Sequence, residues 1–399
     1  MKAGWELKLI SEFAQTGAGG TPTKGTSEYY DGGTIPWLLS GEVANANITE
    51  ATKFITEKGL AASSAKLFPK GSVLVAMYGA TAGEVGILRF EASTNQAVCA
   101  IKPNKDYVTE YLYYYLLKAK ALLASQATGG AQPNISQAKI KSLPIPLPPL
   151  EEQKRIVSIL DEAFEGLDRA RENAKANLKN ARELFERGLD AVIADAGKDC
   201  IEYSLSDLCV VGDGNHSSKY PKKSEMVAGG VPFIRSTNIQ KGSLETSDLL
   251  FISPEKHAQL KKGHLKTGDV LFTNRGEIGK VAIVPNTLNG SNLNSQVAWL
   301  RCLAVLDEHF LFYFLQSSKM KRHYSNTKSG TGLQQFTIKM LKSVMLPLPS
   351  VERQKIAMQK LNRLNVQFKA MENSFATKLQ DISDLRQSLL QKAFAGELT

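Results

Sequence analysis

The chain has 399 residues, of which 43% are hydrophobic and 22% charged, and it carries a formal net charge of +10. It is too long for one ordinary hydrophobic core, so we expect two or more domains with a globular composition. No apolar run reaches membrane-spanning length, and the start, MKAGWELK, lacks the apolar segment of a signal peptide, so we expect a cytoplasmic protein.

Short strands and glycine-bearing loops predict a mostly β domain over residues 1–149. Alternating Trp5, Leu7 and Leu9 indicate a first strand, and the loop TGAGGTPTKG follows it. The run YLYYYL (111–116) predicts an amphipathic helix, and its bunched rings suit a hydrophobic core better than base stacking. Further strands are predicted at IPWL (35–38), GSVL (71–74), TNQA (94–97) and 139–143, with turn glycines in MYGATAGEVGI (77–87).

A long helix is predicted after this domain. The lead-in LPIPLPP (143–149) is too rich in proline to be helical throughout and indicates an extended strap. Apolar residues at intervals of three and four then continue from Glu151 to Ala194, a stretch of 44 residues that would span about 66 Å at ~1.5 Å per residue.

The same arrangement recurs in the second half of the chain. LPLPSVERQKI opens a second long helix, and a shift of 201 residues superimposes the straps and the apolar seams of the two helices. We therefore predict a tandem repeat. The repeated segments of the second globular part are VPFI (231–234), GDVL (268–271), TNRGEIGKVAI (273–283), NSQV (294–297) and FLFYFL (310–315). The predicted seam positions are Leu160, Leu167, Ala174, Leu178, Leu361, Phe368, Phe375 and Leu379.

The repeat predicts an α+β fold. Two mostly-β domains with small helices are expected to be separated by two long antiparallel helices, which form a coiled-coil-like spacer with approximate two-fold symmetry. Phe368 and Phe375 are expected to pack against Leu167 and Ala174, and the two ends of the chain are expected to lie close together. The expected boundaries are 1–149 for the first domain, 150–196 for the first helix, 197–349 for the second domain and 350–399 for the second helix.

The sequence lacks the motifs that chemistry would require. There is no GxGxxG after a strand, no GxxxxGK[ST] and no (N/D)PP(Y/F) motif of the kind that an adenine methyltransferase needs. The acids Asp213, Glu225, Asp269 and Glu277 lack the clustering of a metal-dependent nuclease, and the four cysteines and five histidines show no metal-site spacing. We expect no catalytic site, no metal and no cofactor in this chain.

The positive charge lies mainly in the two globular domains. Residues 1–149 carry +3 and residues 197–349 carry +7, whereas the first helix, residues 150–196, carries −3. A basic globular surface favours a polyanionic partner, and nucleic acid is the most plausible one.

These features together resemble the specificity subunit of type I restriction–modification enzymes. The resemblance covers essentially the whole chain and rests on the strap–helix junctions, the tandem layout, the ending LLQKAFAGEL, and the segments GGTPTKG, IPWLLSGE and TGGAQPNIS. It implies that each globular domain is a target-recognition domain that reads one half of a bipartite, asymmetric site in double-stranded DNA. The subunit itself would be non-catalytic.

The resemblance also implies partners. The long helices would set the spacing between the half-sites and dock two methyltransferase subunits, which bind S-adenosylmethionine. Restriction subunits, which use ATP and Mg²⁺, would join that complex. Two other functions remain open: a stand-alone, two-headed DNA-binding regulator, and a scaffold whose basic domains hold a protein partner.

Loop residues whose side chains bind phosphates or base edges are the candidates for DNA contact. Those in the first domain are Thr21, Lys24, Ser40, Tyr78, Thr81, Asn95, Gln96 and Gln132. Those in the second domain are Asn215, His216, Lys219, Arg235, Asn238, Asn274, Arg275 and Lys328.

Overall fold

A computed structural model describes residues 2, 4–125, 134–215, 219–325 and 335–398 of the chain. The chain forms two compact units. The first comprises Met1–Lys175 and Thr377–Thr399, and the second comprises Ala176–Ala376. Each unit therefore contains one globular region, which we call a head, together with part of each long helix. The first head is residues 4–149 and the second is residues 198–349.

The first head is built from short strands around a few helices. Its largest sheet has five strands in the order β2-β10-β7-β8-β4, a second sheet has the order β5-β3-β9-β6, and β1 pairs with β11. The strands are β1 (Glu6–Leu9), β2 (Thr16–Ala18), β3 (Ile35–Leu38), β4 (Asn47–Ile48), β5 (Phe54–Ile55), β6 (Leu67–Phe68), β7 (Val73–Ala76), β8 (Val85–Leu88), β9 (Ala92–Thr94), β10 (Val98–Ile101) and β11 (Pro144–Leu147). The helices are α1 (Ile10–Phe13), α2 (Glu57–Ala61), α3 (Thr109–Ser125) and α4 (Gln137–Lys141).

The long helix α5 (Leu150–Gly197) follows, and the second head repeats the plan of the first. Its sheets have the orders β13-β22-β19-β20, β14-β18-β15-β21, β16-β17 and β12-β23. The strands are β12 (Glu202–Ser204), β13 (Cys209–Asp213), β14 (Met226–Val227), β15 (Val231–Ile234), β16 (Ile239–Gln240), β17 (Ser243–Leu244), β18 (Leu250–Ile252), β19 (Val270–Thr273), β20 (Val281–Ile283), β21 (Asn292–Leu293), β22 (Val297–Cys302) and β23 (Met345–Pro347). The helices are α6 (Leu205–Leu208), α7 (Pro254–Gln259), α8 (Glu308–Gln316), α9 (Ser318–Ser325), α10 (Ile338–Lys342) and, after the head, α11 (Val351–Ala395).

Three predicted strands are wrong. Residues 139–143 belong largely to the helix α4, because Ser136 caps it by accepting the N–H of Lys139. TNQA (94–97) is not one strand but the turn between β9 and β10, with Asn95 and Gln96 at its tip. Its counterpart NSQV (294–297) is likewise the turn between β21 and β22. In each place a local side chain-to-backbone hydrogen bond outweighs strand propensity.

The aromatic helices α3 and α8 lie in the cores of their units, as predicted. Tyr111, Phe310 and Phe314 are almost fully buried. In the first unit Phe394 of α11 joins this core, with its ring 5.1 Å from that of Tyr111. Burying a ring of this size contributes roughly 1.5–3 kcal/mol, so these helices anchor the long helices to the heads.

A buried glutamine in each unit fastens the start of a long helix to its head. Gln153 accepts the N–H of Val108 through Oε1 (2.8 Å) and donates to the carbonyl of Pro148 (2.9 Å). Gln354 accepts the N–H of Asp307 (2.8 Å) and donates to Pro349 (2.9 Å). Because both side chains are only 1% exposed, losing these bonds would leave buried polar groups unpaired.

The two long helices run antiparallel where they meet in the second unit. Lys360 pairs with Asp195 (3.2 Å), and Arg182 pairs with Glu372 (2.9 Å), so residue numbers fall on one helix as they rise on the other. Between these pairs, Phe368 stacks on Phe185 with ring centroids 4.9 Å apart. The predicted packing of Phe368 against Leu167 is therefore wrong, because spacing sets the face of a helix but not its axial register.

The remaining predicted seam residues are buried to different degrees. Leu160 and Leu361 are fully buried in the cores of the first and second unit, Ala174 is buried, and Leu167, Leu178, Phe375 and Leu379 are half-buried. In the first unit Arg386 of α11 pairs with Asp168 (2.7 Å) and lies over the ring of Phe164.

Described residues near the two ends of the chain, Lys2 and Gly396, are adjacent in the first unit, as predicted. A Cβ on Gly396 would lie 2.7 Å from the Cβ of Lys2. Lys2 is held in turn by an ion pair to Glu152 (2.6 Å). Among the described residues, none of the helices combines the length and the apolar character needed to cross a membrane.

Candidate nucleic-acid interface

Five segments of the first head meet where its strands end. We call residues 19–21, 38–40, 77–81, 94–98 and 134–135 the first loop junction. Four backbone hydrogen bonds of 2.7–3.3 Å hold it together. From N–H to carbonyl, they join Gly19 to Val98, Asn95 to Leu38, Met77 to Ala97 and Ile135 to Met77.

The second head contains the same junction. We call residues 214–215, 234–238, 274–275, 293–297 and 335–336 the second loop junction. Its four bonds, of 2.9–3.2 Å, join Gly214 to Val297, Asn294 to Ile234, Asn274 to Gln296 and Phe336 to Asn274. The two heads thus present their loops on the same backbone framework.

A glycine allows the closest approach in each junction. A Cβ on Gly19 would lie 2.1 Å from the carbonyl oxygen of Thr94, and one on Gly214 would lie 1.8 Å from that of Asn294. No real Cβ approaches an oxygen so closely, so these two positions require glycine for space. This lack of space explains why the polar loop of each head contains a glycine at this position, Gly19 in the first head and Gly214 in the second.

The first junction brings together several predicted residues. Thr21 Oγ1 donates to Gln96 Oε1, and both lie at the tips of their loops. Asn95 shapes the neighbouring turn by accepting the N–H of Ala97 (3.2 Å). Tyr78 is 39% exposed and forms an isolated β-bridge with Asn134. Ser40 and Thr81 are half-buried and Lys24 is exposed, whereas Gln132 lies outside the described residues.

In the second head, two predicted residues use their polar groups internally. Asn238 is 3% exposed, accepts the N–H of Arg235 (3.0 Å) and donates to the carbonyls of Glu245 and Asp248 (3.3 Å each). Arg235 Nη2 donates to the carbonyl and the carboxylate of Asp248 (2.7 Å each). These bonds hold the loop from 235 to 248 in shape.

Arg275 stands at the edge of the second junction. When the Gln335 amide is turned so that its oxygen faces Arg275, this oxygen lies 3.0 Å from Nη2 and 3.1 Å from Nε. Asn274 and Asn215 are buried, and Lys219 is exposed. His216 and Lys328 lie outside the described residues.

The comparisons with known proteins agree with this architecture. The family described as the type I restriction modification DNA specificity domain matches residues 2–180 and again residues 198–374. The chain belongs to this family. Membership assigns it to DNA target recognition, and the two matches coincide with the two halves of the tandem repeat.

Individual relatives extend over the whole chain. The MjaIX specificity subunit of Methanocaldococcus jannaschii is 26% identical over 99% of this chain and 93% of its own length. A chain from a structure of a type I R-M system covers 100% of this chain and 99% of its own at 22% identity, with a TM-score of 0.79. The HsdS subunit of Thermoanaerobacter tengcongensis covers 100% and 98% at 21% identity, with a TM-score of 0.53. The last two likenesses concern the fold alone.

For this specificity-family member, sequence reasoning missed three junction residues. Gln296 is exposed, and its Oε1 accepts the hydroxyl of Ser236 (2.8 Å). Gln335 faces Arg275. Gln296 lies one position beyond the counterpart of Gln96, because the backbone bonds equate it with Ala97. Ser236 was detectable, because it follows VPFI as Ser40 follows IPWL, at the same offset of 196 residues.

The four acids of the second head that were weighed as nuclease residues each form an ion pair with a lysine or an arginine. In each of these ion pairs the distance from the side-chain nitrogen to the carboxylate oxygen is 2.7–3.0 Å. Asp269 is fully buried and takes two bonds from Arg301, which raise the pKa of that guanidinium. The pKa of Glu225 is lowered, first by the hydrogen bond from the backbone N–H of Lys222 and second by the hydrogen bond from the Lys256 side chain. The pairs are Asp213–Lys262, Glu225–Lys256, Asp269–Arg301 and Glu277–Lys280.

Two histidines form a hydrogen-bonded chain beside β21. His264 Nε2 lies 2.6 Å from the carbonyl of Leu260, so this nitrogen must carry the proton. Its Nδ1 then accepts from His257 Nε2 (3.1 Å), and His257 Nδ1 accepts from the amide of Asn292 (3.4 Å). This series of hydrogen bonds is complete only when both imidazole rings are neutral. The pKa of His257 is lowered, mainly by burial and secondly by the charge of His264.

Asp307, Glu308 and His309 are the only such trio of metal-ligand side chains that the described residues bring within 4.8 Å. Asp307 already has a structural task, because its Oδ1 accepts the N–H groups of His309 (2.8 Å) and Phe310 (3.1 Å) at the start of α8. The trio is thus a capped helix start.

Proposed function

We propose that this chain is the specificity subunit of a cytoplasmic type I restriction–modification complex, in which each head reads one half of a bipartite, asymmetric site in double-stranded DNA. The observation that carries the proposal is the pair of loop junctions, which share their backbone bonds but not their side chains. Tyr78 in the first junction corresponds to Arg275 in the second, and Asn134 corresponds to Gln335. One framework with two sets of side chains is what reading two different half-sites requires.

The charge distribution supports a DNA partner for both heads. The excess of +3 in residues 1–149 and of +7 in residues 197–349 favours attachment to phosphates before bases are read. Because each phosphate contact releases counterions, binding should weaken steeply as salt rises. The second head should have the steeper dependence.

We assign the half-site spacing to the long helices. The 48 residues of α5 correspond to about 72 Å at ~1.5 Å per residue. A continuous helix with a head clamped at its start by a buried glutamine would make the distance between half-sites a property of the protein rather than of the DNA.

The same helices are assigned to docking two methyltransferase subunits. Leu184 and Leu385 are 65% and 49% exposed, and the shift of 201 residues superimposes them. Each follows an acidic residue, Glu183 or Asp384. Two equivalent exposed leucines suit two copies of one partner. In this proposal the partners bind S-adenosylmethionine, restriction subunits supply ATP- and Mg²⁺-dependent steps, and this chain performs no chemistry.

Co-expression with the methyltransferase encoded beside it tests the reading function. We expect methylated adenines, mapped by single-molecule sequencing of host DNA, to fall in one two-part motif with an unread gap. Exchanging the second head for that of a relative should change one half of the motif only. Methylation without a two-part motif, or specific DNA binding without any methyltransferase, would contradict the proposal.

Substitution of the exposed leucines tests docking. Leu184→Lys and Leu385→Lys should each reduce methyltransferase co-purification, and the double variant should abolish it. Ala176→Lys, which adds the same charge at another exposed position of α5, is the matched control. Unchanged stoichiometry in the double variant would remove these leucines from the docking surface.

A further inference from the structure

The geometry points to Gln96 and Gln296 as base-reading residues in the corresponding turns of the two junctions, and we propose that they read different bases. The backbone bonds equate Ala97 with Gln296, so the two glutamines stand one position apart in these turns. This inference rests on the proposed function and deepens it. Both glutamines lie at the exposed tip of a turn, Gln96 before β10 and Gln296 before β22. Around them the polar side chains of Thr94, Asn274 and Asn294 are buried.

The orientation of the Gln296 amide follows from its neighbours. Asn294 Oδ1 accepts the N–H of Gln296 (3.2 Å), so the other polar atom of Asn294 is the donor Nδ2. This Nδ2 faces Gln296 Oε1 at 3.4 Å, and Ser236 Oγ lies 2.8 Å from the same oxygen. Both acceptor positions of Oε1 are therefore occupied, and the described residues provide Nε2 with no hydrogen-bond partner.

Gln96 is held differently. Its Oε1 accepts the hydroxyl of Thr21. Asn95 makes the same turn bond as Asn294, but the N–H that it accepts belongs to Ala97 (3.2 Å) rather than to a glutamine. One acceptor position of Oε1 remains, together with an Nε2 for which the described residues likewise supply no partner. Gln96 can thus donate and accept at once, whereas Gln296 can only donate.

This difference selects base edges in the major groove. Adenine presents the acceptor N7 beside the donor N6, which matches a carboxamide that both donates and accepts. Guanine N7 and O6 and thymine O4 are acceptors, which match a carboxamide that only donates, while cytosine N4 offers only a donor. We therefore assign adenine to Gln96, and guanine or thymine to Gln296.

The hydroxyl partners are positioning residues in this scheme. Ser236→Ala would free one acceptor position on Gln296 and extend its range to adenine. Thr21→Val would leave the Gln96 amide free to rotate and would blur its preference for adenine. A purely structural role of the two glutamines predicts neither change in the base preference.

Methylation mapping of the full complex tests the assignment, with motif base frequencies as the readout. Gln296→Glu replaces the donor with an acceptor and should disfavour guanine or thymine at one position of one half-site by roughly ten- to hundredfold while admitting cytosine. Gln96→Glu should exchange adenine for cytosine in the other half-site by a similar factor. Gln391→Glu, an exposed glutamine of α11, controls for the added negative charge.

The outcomes separate the inference from the proposed function. If the unaltered complex shows no two-part motif, the proposed function fails first. If the motif is present but both glutamate variants leave every base preference unchanged, or weaken all sites equally, the assignment is overturned. Gln96→Met and Gln296→Met, which keep the side-chain length but remove the amide, should relax one base each. Retention of that base in both variants would equally overturn the assignment.

Discussion

The turn that enters the central strand differs between the two heads. In the first head Ser72 is fully buried and donates to the carbonyl of Pro69 (2.8 Å). In the second head the equivalent residue is Asp269, also fully buried, which receives two bonds of 2.7 Å from Arg301. The same backbone therefore carries a neutral local bond in one copy and an ion pair across strands in the other. A repeat preserves the path of the chain without preserving how polar groups are satisfied.

The junction loops show the same principle at the surface. Tyr78 presents an aromatic ring where Arg275 presents a guanidinium, while the backbone bonds around them coincide. Side chains can thus diverge at the surface at little cost in stability, since the framework is held by main-chain groups. The differences between the heads lead to four predictions, ordered by expected size.

The largest effect should come from breaking the buried ion pair. Arg301→Ala leaves a fully buried carboxylate without its partner, which costs roughly 3–5 kcal/mol for a buried pair, and we expect the lower end because Arg301 is partly exposed. Chemical denaturation should show the loss. The double variant Asp269→Ser/Arg301→Ala replaces the buried carboxylate with the serine of the first head and should recover much of this loss. An equal loss in both variants would show that the ion pair itself is not what matters.

Filling the closest approach in the junctions should cost slightly less. Gly214→Ala places a Cβ 1.8 Å from the Asn294 carbonyl oxygen and should destabilise the second head by about 1–3 kcal/mol or more. Gly19→Ala should do the same in the first head. Gly229→Ala and Gly41→Ala are the controls, because a Cβ at either position meets nothing within 4 Å. Equal melting temperatures for the Gly214 and Gly229 variants would argue against the close approach.

The third prediction concerns base reading at the position where the heads diverge. Arg275→Ala should cost about 1–3 kcal/mol of binding and relax one base of the second half-site, since arginine is the commonest reader of guanine. Tyr78→Ala should relax the first half-site instead. Competition binding of the complex with half-site variants measures both. A uniform loss on all sequences would make Arg275 a phosphate contact.

The smallest effect should be a pH dependence confined to the second head, because all five histidines lie in it. The pKa of His257 is lowered from 6.5 on folding, so the unfolded chain binds a proton that the folded head rejects. Stability should therefore be complete above pH 6.5 and decline as pH falls below it. Denaturation at several pH values would show this slope, and His257→Gln should flatten it whereas His323→Gln should not. A slope that persists in His257→Gln would exclude this histidine.

The sequence by itself determined the architecture of this protein. The helical spacing, the repeated proline strap and the matching strand segments were sufficient to predict two heads, two long helices and membership of the family. The aromatic runs at 111–116 and 310–315 were assigned to the core because rings bunched so tightly suit burial better than base stacking, and the structure buries most of them. These features are local, or repeat at a fixed distance, so one sequence contains them.

Only the tertiary structure decided what the polar residues do and how the helices meet. Asn238 and Gln296 are both amides in polar loops, yet one is buried among internal partners and the other stands at the tip of a turn. Likewise, Phe368 meets Phe185 through an axial register that spacing cannot encode. The physical reason is that hydrogen-bond partners and register depend on segments distant in sequence, which come together only when the chain folds.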